Sequence, residues 1–396
     1  MKVALITENS SEYGRRLVDG VAAYARTVRN WRLTWLNPEV SFEMKTLQGC
    51  SGIIARVAND TIARRLMNTG LPVVDVFCRK NNPEFFGVNS NHETIGHLAA
   101  EHFIEKRHVN FAFAGFHGVS FSKKRLNAFA SRLKEHGYGV ISTEIPLPED
   151  QRAFFNKNLD LVADLEFLRN WLASLPKPSA VFAANDLLAL AISKAARETG
   201  LSIPEDIAVL GVDDDRLLCA FAETPISSID PNAFGIGYTA ARILSALMKE
   251  PPRKSHAVHH VSPNGIVARN SSERHAIKPD WLANTLGFID SMIDRPLSTV
   301  DLVEFTGRSH VTISATFKEK LKMSPVQYIT AVKMSTARKM LTEGKLLVKE
   351  VADKIGYPSL ARFSFVYKSY WGHSPSQISR ASHLTNSEAA DHTSAP

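Results

Sequence analysis

The chain carries one pattern twice near its end, and this duplication limits what the region can fold into more than any other feature. Residues 302–328 and 351–378 repeat it about fifty positions apart. Each copy has a short apolar helix, a glycine turn (Gly307, Gly356), a serine placed to cap the next helix (Ser309, Ser359), and a second helix with buried aliphatic or aromatic positions. Each copy ends in Ser-Pro-x-Gln, at Ser324 to Gln327 and at Ser374 to Gln377. There the serine can cap a further helix, the proline suits its first turn, and the glutamine can reach back to the cap. Two helix-turn-helix units separated by one long helix, from Ser324 to a stop at Gly344, can offer two helices to successive major grooves of DNA.

Charge points the same way. From Phe305 to Arg380 there are 13 basic and 4 acidic side chains, a net +9 in a chain whose total is +7, so the remainder is −2. A basic module beside a near-neutral partner is the electrostatic footprint of nucleic-acid binding. At 396 residues the chain is too long for one core and fits two or three domains. Cys50, Cys78 and Cys219 are scattered through apolar surroundings, which suits neither a disulfide framework nor a metal cluster and leads us to expect a reduced, cytoplasmic protein. Met1-Lys2 runs directly into the strand-like Val3 to Ile6, and no apolar run reaches membrane-spanning length, so neither export nor a membrane is expected.

The first 270 residues alternate strand-like apolar runs with helical segments, a βαβ rhythm that predicts parallel sheets covered by helices on both faces. Ligands of such sheets bind beyond the carboxyl ends of the strands. Three of those ends carry groups suited to a polyhydroxylated ligand: Asn185-Asp186, Asp213-Asp214-Asp215, and Arg125 in a helix opening after the strand that ends at Gly115. Carboxylates accept from hydroxyls, amides do both, and arginine donates through a planar fork. Tyr13 can add an aromatic face, or be a core residue. Asp186 can equally be a helix cap, and Asp214 and Asp215 solvated turn residues. Consecutive aspartates point different ways, so no metal site is expected there, and no cofactor is expected anywhere.

At these residues a resemblance becomes specific. The stretch Asn91 to Ile104 resembles the strand-to-helix signature of the periplasmic-binding-protein-like sensors of LacI-type repressors, and Asn185-Asp186 and Leu210 to Asp214 resemble that family's later ligand-facing loops. The repeat resembles the AraC/XylS family instead. The resemblance implies an α/β two-lobed sensor with parallel sheets over 1–270 and an all-α double helix-turn-helix reader over 280–382, while composition predicts a serine- and charge-rich linker over 271–279 and a disordered tail over 383–396. It implies two lobes of about 1–115 and 118–230 closing on a ligand, with crossovers near 115, 230 and 254. Asn91 joins Tyr13, Arg125, Asn185 and Asp213 in the implied ligand set. The implied function is a transcriptional regulator, an activator working with RNA polymerase as a homodimer on promoter DNA, controlled by a sugar such as xylose or a related pentose. Some positions depart from the family: Asn91 stands where an aspartate is usual, Arg107 and Lys322 where glycine is usual, and Ile378-Ser379 replaces Tyr-Arg.

Helix geometry sorts the reader's contacts from its core. In the first recognition helix Ile313, Thr316 and Phe317 share one face, leaving His310, Val311, Ser314, Ala315 and Lys318 to meet DNA. In the second, Phe363 and Tyr367 are the expected buried pair, leaving Leu360, Ala361, Ser364, Phe365 and Lys368 outward with Arg362 at the edge. Exposed apolar side chains on basic helices suit contact with thymine methyls. The long helix between the units is expected to bury Ile329, Val332, Thr336, Ala337 and Met340. An exported solute-binding protein would have no use for the basic repeat. A cytosolic sugar-binding protein or a sugar-modifying enzyme with an accessory basic domain would explain the cleft. The enzyme reading lacks a nucleophile beside a base and paired carboxylates set for glycoside chemistry, so no enzymatic activity is expected.

Overall fold

A computed structural model of the chain describes residues 1–8, 10–36, 44–78, 84–146, 165–249, 258–343 and 346–378. It divides into two compact units, Met1–Ala276 and Ile277–Pro396. The expected tail, 383–396, and the stop at Gly344 lie outside the described residues.

The first unit is two lobes, each built on a six-stranded sheet. One sheet has the order β11-β5-β4-β3-β1-β2, from Val258–Val261, Phe86–Ser90, Val73–Asp75, Cys50–Ala55, Lys2–Ile6 and Arg32–Leu36. The other has the order β12-β10-β9-β8-β6-β7, from Gly265–Val267, Ser227–Asp230, Ile207–Val212, Ser179–Ala183, Phe111–Phe116 and Ile141–Ile145. The neighbours pair in parallel, except that β12 runs antiparallel to β10. β8 and β9 are buried along their whole length, so they read as unbroken apolar runs with no alternation. The aromatic centre of this second lobe is Phe182, with Phe113 and Phe129 at ring-centroid distances of 5.4 and 5.2 Å.

The first crossover corrects the expected lobe boundary near 115. Helix α3 (His92–Glu105) packs on α4 (Ser120–Glu135), and its Ile95, Ala99 and Phe103 join the core of β6. The close approach is possible because a Cβ on Gly96 would lie 2.7 Å from the Phe129 nitrogen and 2.8 Å from the Arg125 carbonyl oxygen. The chain therefore enters the second lobe at Asn91, directly after β5. It returns after Asp230 into α8 (Ala233–Leu247), whose Ile236, Ala240 and Leu244 pack with Val3, Leu17 and Val21 of the first lobe. The third passage lies between Val261 and Gly265; residue 254, where it was expected, is outside the described residues.

The expected linker is also different. Its first half is packed into the first unit: Ser271 and Ser272 are fully buried, Ser271 Oγ donates to the Val209 carbonyl at 2.6 Å, and the Ala276 amide donates to the Lys106 carbonyl at 2.9 Å. The Ser271 hydroxyl serves backbone groups of the sheet, and the Ser272 hydroxyl meets His102 Nε2 at 2.7 Å.

The second unit holds α9 (Asp280–Ser291), α10 (Thr299–Thr306), α11 (His310–Leu321), α12 (Pro325–Glu343), α13 (Val348–Lys354) and α14 (Leu360–Trp371). Ser298 and Asp301 form a capping box on α10. Both Ser-Pro-x-Gln motifs close as their chemistry allows, with the serine amide donating to glutamine Oε1 at 2.7 Å (Ser324, Gln327) and 2.8 Å (Ser374, Gln377). Two clusters form the core. Leu282, Leu286, Leu302, Ile313 and Phe317 make the first, and Met334, Ala337, Leu341, Val351, Phe363 and Tyr367 the second. The long helix α12 serves both, so its buried residues are Tyr328 and Ile329 for one and Met334, Ala337 and Leu341 for the other. The single stripe expected through Val332, Thr336 and Met340 is only half-buried, because the helix turns a different side to each bundle.

Candidate ligand cavity and nucleic-acid interface

A cavity of about 530 Å³ opens at the carboxyl ends of the strands in the first unit. Tyr13, Arg125, Asn185 and Asp213 all line it. Asn91 does not: it is the cap of α3, its Oδ1 accepting from the Thr94 amide at 3.1 Å. A short amide directly after a strand and before a helix serves the helix terminus first. Asn185 combines both tasks, capping α6 (Asp186–Glu198) through Oδ1 to the Leu188 amide at 3.0 Å while standing on the cavity wall.

Arg125 is buried, its Nη1 donating to the Ala184 carbonyl and its guanidinium lying 5.0 Å from the centre of the Phe121 ring. Its Nε has no protein partner. Burial disfavours its charge, while Asp213, Tyr13 and Asp186 favour it. Asp213 sits at a left-handed φ of 119° on the wall. Its carboxyl is pushed up to about 8, first by burial, against the pull of Arg125 and with further push from Asp186 and Asp215. Burial likewise raises Tyr13, helped by Asp213 and Glu8. The site thus offers a buried cation with a donor to spare beside an acid ready to change protonation.

Other wall residues were not singled out from the sequence. Glu8 forms a 2.8 Å ion pair with Arg56, whose guanidinium lies 4.3 Å from the Phe77 ring centre. Asn89 donates to the Phe77 carbonyl at 2.8 Å. His92 is buried with Nδ1 unpartnered, and burial together with Arg125 holds it neutral. Glu8 follows β1 and Asn89 is the last residue but one of β5, so the strand-end rule, applied to every strand, would have found both.

The two aspartates after Asp213 are buried rather than solvated turn residues, and Asp215 also lines the cavity. Asp214 is held by Arg269 at 2.6 Å and by Arg16 at 3.2 Å, and Arg16 also reaches Asp230 at 3.2 Å. Asp215 caps α7 (Arg216–Phe221) and accepts from the Glu12 amide at 3.2 Å. Arg16 and Glu12 belong to α1 (Glu12–Val28) of the first lobe, so the loop that carries Asp213 is also where the lobes touch. Asp186 is not the helix cap it could have been, since Asn185 fills that place. It accepts from Ser228 Oγ at 2.6 Å and from the Asp215 amide at 2.8 Å, and burial raises it to about 6. No group of metal-binding side chains occurs among the described residues.

In the second unit α11 and α14 are the same helix twice. Each has 12 residues, starts at a serine cap and ends at a left-handed residue, Lys322 (φ 59°) or Gly372 (φ 78°). Ile313 and Phe317 are buried in one, Phe363 and Tyr367 in the other. Outward lie His310, Val311, Ala315 and Lys318 on α11, and Leu360, Ala361, Arg362, Phe365 and Lys368 on α14; Ser314 and Ser364 are half-buried. Val311 is 76% exposed and Phe365 75%.

A family model described as a periplasmic binding protein-like domain matches residues 100–272, and one described as a helix-turn-helix domain matches residues 302–381. The chain joins a periplasmic binding protein-like sensor to an AraC-type helix-turn-helix domain. It is homologous to the xylose operon regulatory proteins. To that of Haemophilus influenzae it is 22% identical over 386 residues, which span 95% of this chain and 97% of that protein. The structure of the xylose-binding transcription activator xylR covers 96% of this chain and 98% of its own, with 22% identity and a TM-score of 0.59. A LacI family transcriptional regulator from Enterococcus faecium with bound ribose covers 70% of this chain and 99% of its own, at 21% identity and a TM-score of 0.55. At these identities the likeness to solved structures establishes the fold. No helix among the described residues is long and apolar enough to cross a membrane.

Proposed function

We propose that this chain is a sugar-responsive transcriptional activator in which a monosaccharide ring, that of xylose or a related pentose, binds the cavity and controls promoter binding by the duplicated helix-turn-helix. The observation that carries the reading is the pairing, in one chain, of a buried Arg125 beside Asp213 on a cavity wall with two matched helices that leave apolar and basic side chains exposed. Arg125 Nε–H is a donor to a ring hydroxyl, and Asp213 an acceptor from one. His310, Val311, Ser314, Ala315 and Lys318 on α11, with Leu360, Ala361, Arg362, Ser364, Phe365 and Lys368 on α14, form the DNA-facing surface. Few of these can make bidentate base contacts, so site shape contributes to sequence preference. The names of the relatives support the sugar class: one is a xylose operon regulator and one carries ribose. The active species is a homodimer that recruits RNA polymerase, as expected of an activator built on this plan.

Calorimetry on the full chain with D-xylose and D-ribose tests the effector. Above about pH 8, where the carboxylate form prevails, Asp213→Ala removes a charge-assisted acceptor worth about 1.5–3 kcal/mol, hence at least a roughly tenfold loss of affinity. No sugar binding by the wild type, or unchanged affinity in Asp213→Ala, Arg125→Ala and Asn185→Ala alike, refutes it. Light scattering that finds a monomer with and without sugar and DNA refutes the dimer.

A further inference from the structure

Helix α3 has one end in the ligand cavity and the other on the last stretch of the first unit. His92, its first residue, lines the cavity, is buried, and has an Nδ1 with no protein partner. Its 14 residues make the helix about 21 Å long. At the far end His102 Nε2 lies 2.7 Å from Ser272 Oγ, with both side chains buried. One turn on, Lys106 Nζ donates to Glu273 Oε2 at 2.9 Å, and the Lys106 carbonyl accepts from the Ala276 amide at 2.9 Å. Ala276 is the last residue of the first unit, and Ile277 begins the second. One rigid element thus connects the cavity with the segment that leads into the helix-turn-helix unit.

The helix has a second input from the cavity. A Cβ on Gly96 would stand 2.8 Å from the Arg125 carbonyl oxygen, and Arg125 carries the partnerless Nε on the cavity wall. The two helices meet backbone to backbone there, with no flexible side chain between them to absorb a displacement. A ligand bonded to His92 Nδ1 or Arg125 Nε therefore acts on α3. On its other side the segment is tied to the sheet, Ser271 Oγ donating to the Val209 carbonyl at 2.6 Å and accepting from the Ser227 amide at 2.8 Å. Ser272 and Glu273 are held between that sheet and a helix that answers to the ligand. A helix translation of about 1–2 Å, of the kind that switching proteins use, exceeds what a hydrogen bond tolerates.

We infer that α3 is the ligand-driven lever of this protein, and that the His102–Ser272 bond, supported by Lys106–Glu273, passes occupancy of the cavity to the segment entering the helix-turn-helix unit. This rests on the sugar reading above and adds its route of regulation. His102 does not line the cavity, so it is a positioning residue.

The test replaces His102 in the full chain and reads sugar and DNA binding separately. Leucine keeps bulk and removes the polar atom, whereas glutamine keeps a polar group near the place of Nε2. Calorimetry with D-xylose and D-ribose is expected to give both variants the wild-type sugar affinity within about threefold. Fluorescence anisotropy then follows a duplex that the wild type selects from a random pool. The tighter-binding sugar is expected to change wild-type affinity for that duplex at least about fivefold, and that of His102→Leu less than about twofold, with His102→Gln recovering most of the response. Ser272→Ala, a small change in volume, is expected to lose the response as His102→Leu does, and decides the matter if the leucine variant does not fold. A full response in His102→Leu or in Ser272→Ala overturns the inference, as does a wild type that binds sugar with no change in DNA affinity. Equal loss in the leucine and glutamine variants also overturns it, since the histidine would then only fill space. So does lost sugar binding in folded His102→Leu, which would make the residue a support of the cavity. If the wild type binds neither sugar, the sugar reading falls first and this one with it.

Discussion

Lys333 donates its ammonium to the Ile355 carbonyl at 2.8 Å, and this bond joins the two halves of the helix-turn-helix unit. The same ammonium donates to the Arg295 carbonyl at 2.7 Å. Ile355 closes α13, so its carbonyl belongs to a helix end that lacks a partner within the helix, and a cation there meets the negative end of the helix dipole. The next residue completes the seam. A Cβ on Gly356 would lie 2.5 Å from the Arg295 backbone, so glycine is required for the approach as well as for its φ of 66°. The relative placement of the two reading helices thus depends on a buried lysine at the middle of α12.

Lys333→Met should keep the aliphatic packing and leave two carbonyls without their donor. The expected cost is about 2–6 kcal/mol in the unfolding of the second unit, at roughly 1–3 kcal/mol for each of the two carbonyls left unsatisfied. Chemical denaturation followed by circular dichroism measures it, and a change below about 0.5 kcal/mol would mean that water replaces the ammonium.

Much of the architecture could be read from the sequence because it rests on local rules. The double helix-turn-helix was legible from capping residues and turns fifty positions apart, and Asp213 and Arg125 from their place after strands. What could not be read depends on distant partners. Glu8 is held by Arg56, Lys333 by Arg295, and Asp214 by Arg16 and Arg269, none of them near in sequence. Asn91 caps α3 and stands outside the cavity lining, whereas Asn185 caps its helix from the cavity wall, so the difference lies in where each strand ends rather than in the residue type. Two departures from family pattern have a physical counterpart. Arg107 and Lys322 stand where glycine is usual, and both adopt left-handed backbone, at φ 63° and 59°.

Lys322→Gly should therefore stabilise the second unit. The left-handed conformation costs a residue with a Cβ roughly 1–2 kcal/mol, and the greater freedom of glycine in the unfolded chain offsets about half of that. A net gain of about 0.5–1 kcal/mol is expected in denaturant midpoint at constant slope. A loss of stability would show that the Lys322 side chain contributes more than its backbone costs.

Asp213 should make the sensor's stability depend on pH. Its folded-state value, about 8, lies above the unfolded value of about 4. Its contribution is then complete below about pH 4 and is lost as pH rises toward 8, because the folded state must give up a proton it holds. Ligand-free wild type should lose stability across that window relative to Asp213→Asn. If the bound sugar donates to the carboxylate, affinity should rise over the same range. Identical pH profiles for the two proteins would place the titration elsewhere, with Asp186, raised to about 6, as the next group to replace.

Arg16 bridges α1 to both Asp214 and Asp230 at the point where the lobes meet. Arg16→Gln should destabilise the sensor by about 1–3 kcal/mol, less than for a fully buried pair because the guanidinium is partly exposed. It should also loosen the lobes, which small-angle scattering would detect as a larger radius of gyration. An unchanged radius together with unchanged stability would mean that Arg269 alone holds Asp214.

The reading helices allow their two kinds of contact to be separated. Lys318 follows the buried Phe317 on the outward side of α11, where a long cation reaches phosphate, whereas Phe365 projects from the first half of α14, where side chains meet base edges. Lys318→Ala should weaken all duplexes to a similar degree and reduce the salt slope by about one unit. Phe365→Ala should cost about 1–3 kcal/mol mainly on the cognate site, through lost apolar contact with a base. Its 75% exposure means that the fold loses little, so a change in DNA affinity reports the contact itself. Fluorescence anisotropy on cognate and scrambled duplexes at several salt concentrations distinguishes the two. A lysine variant that alters sequence preference, beside a phenylalanine variant that weakens every duplex equally, would reverse the assignment.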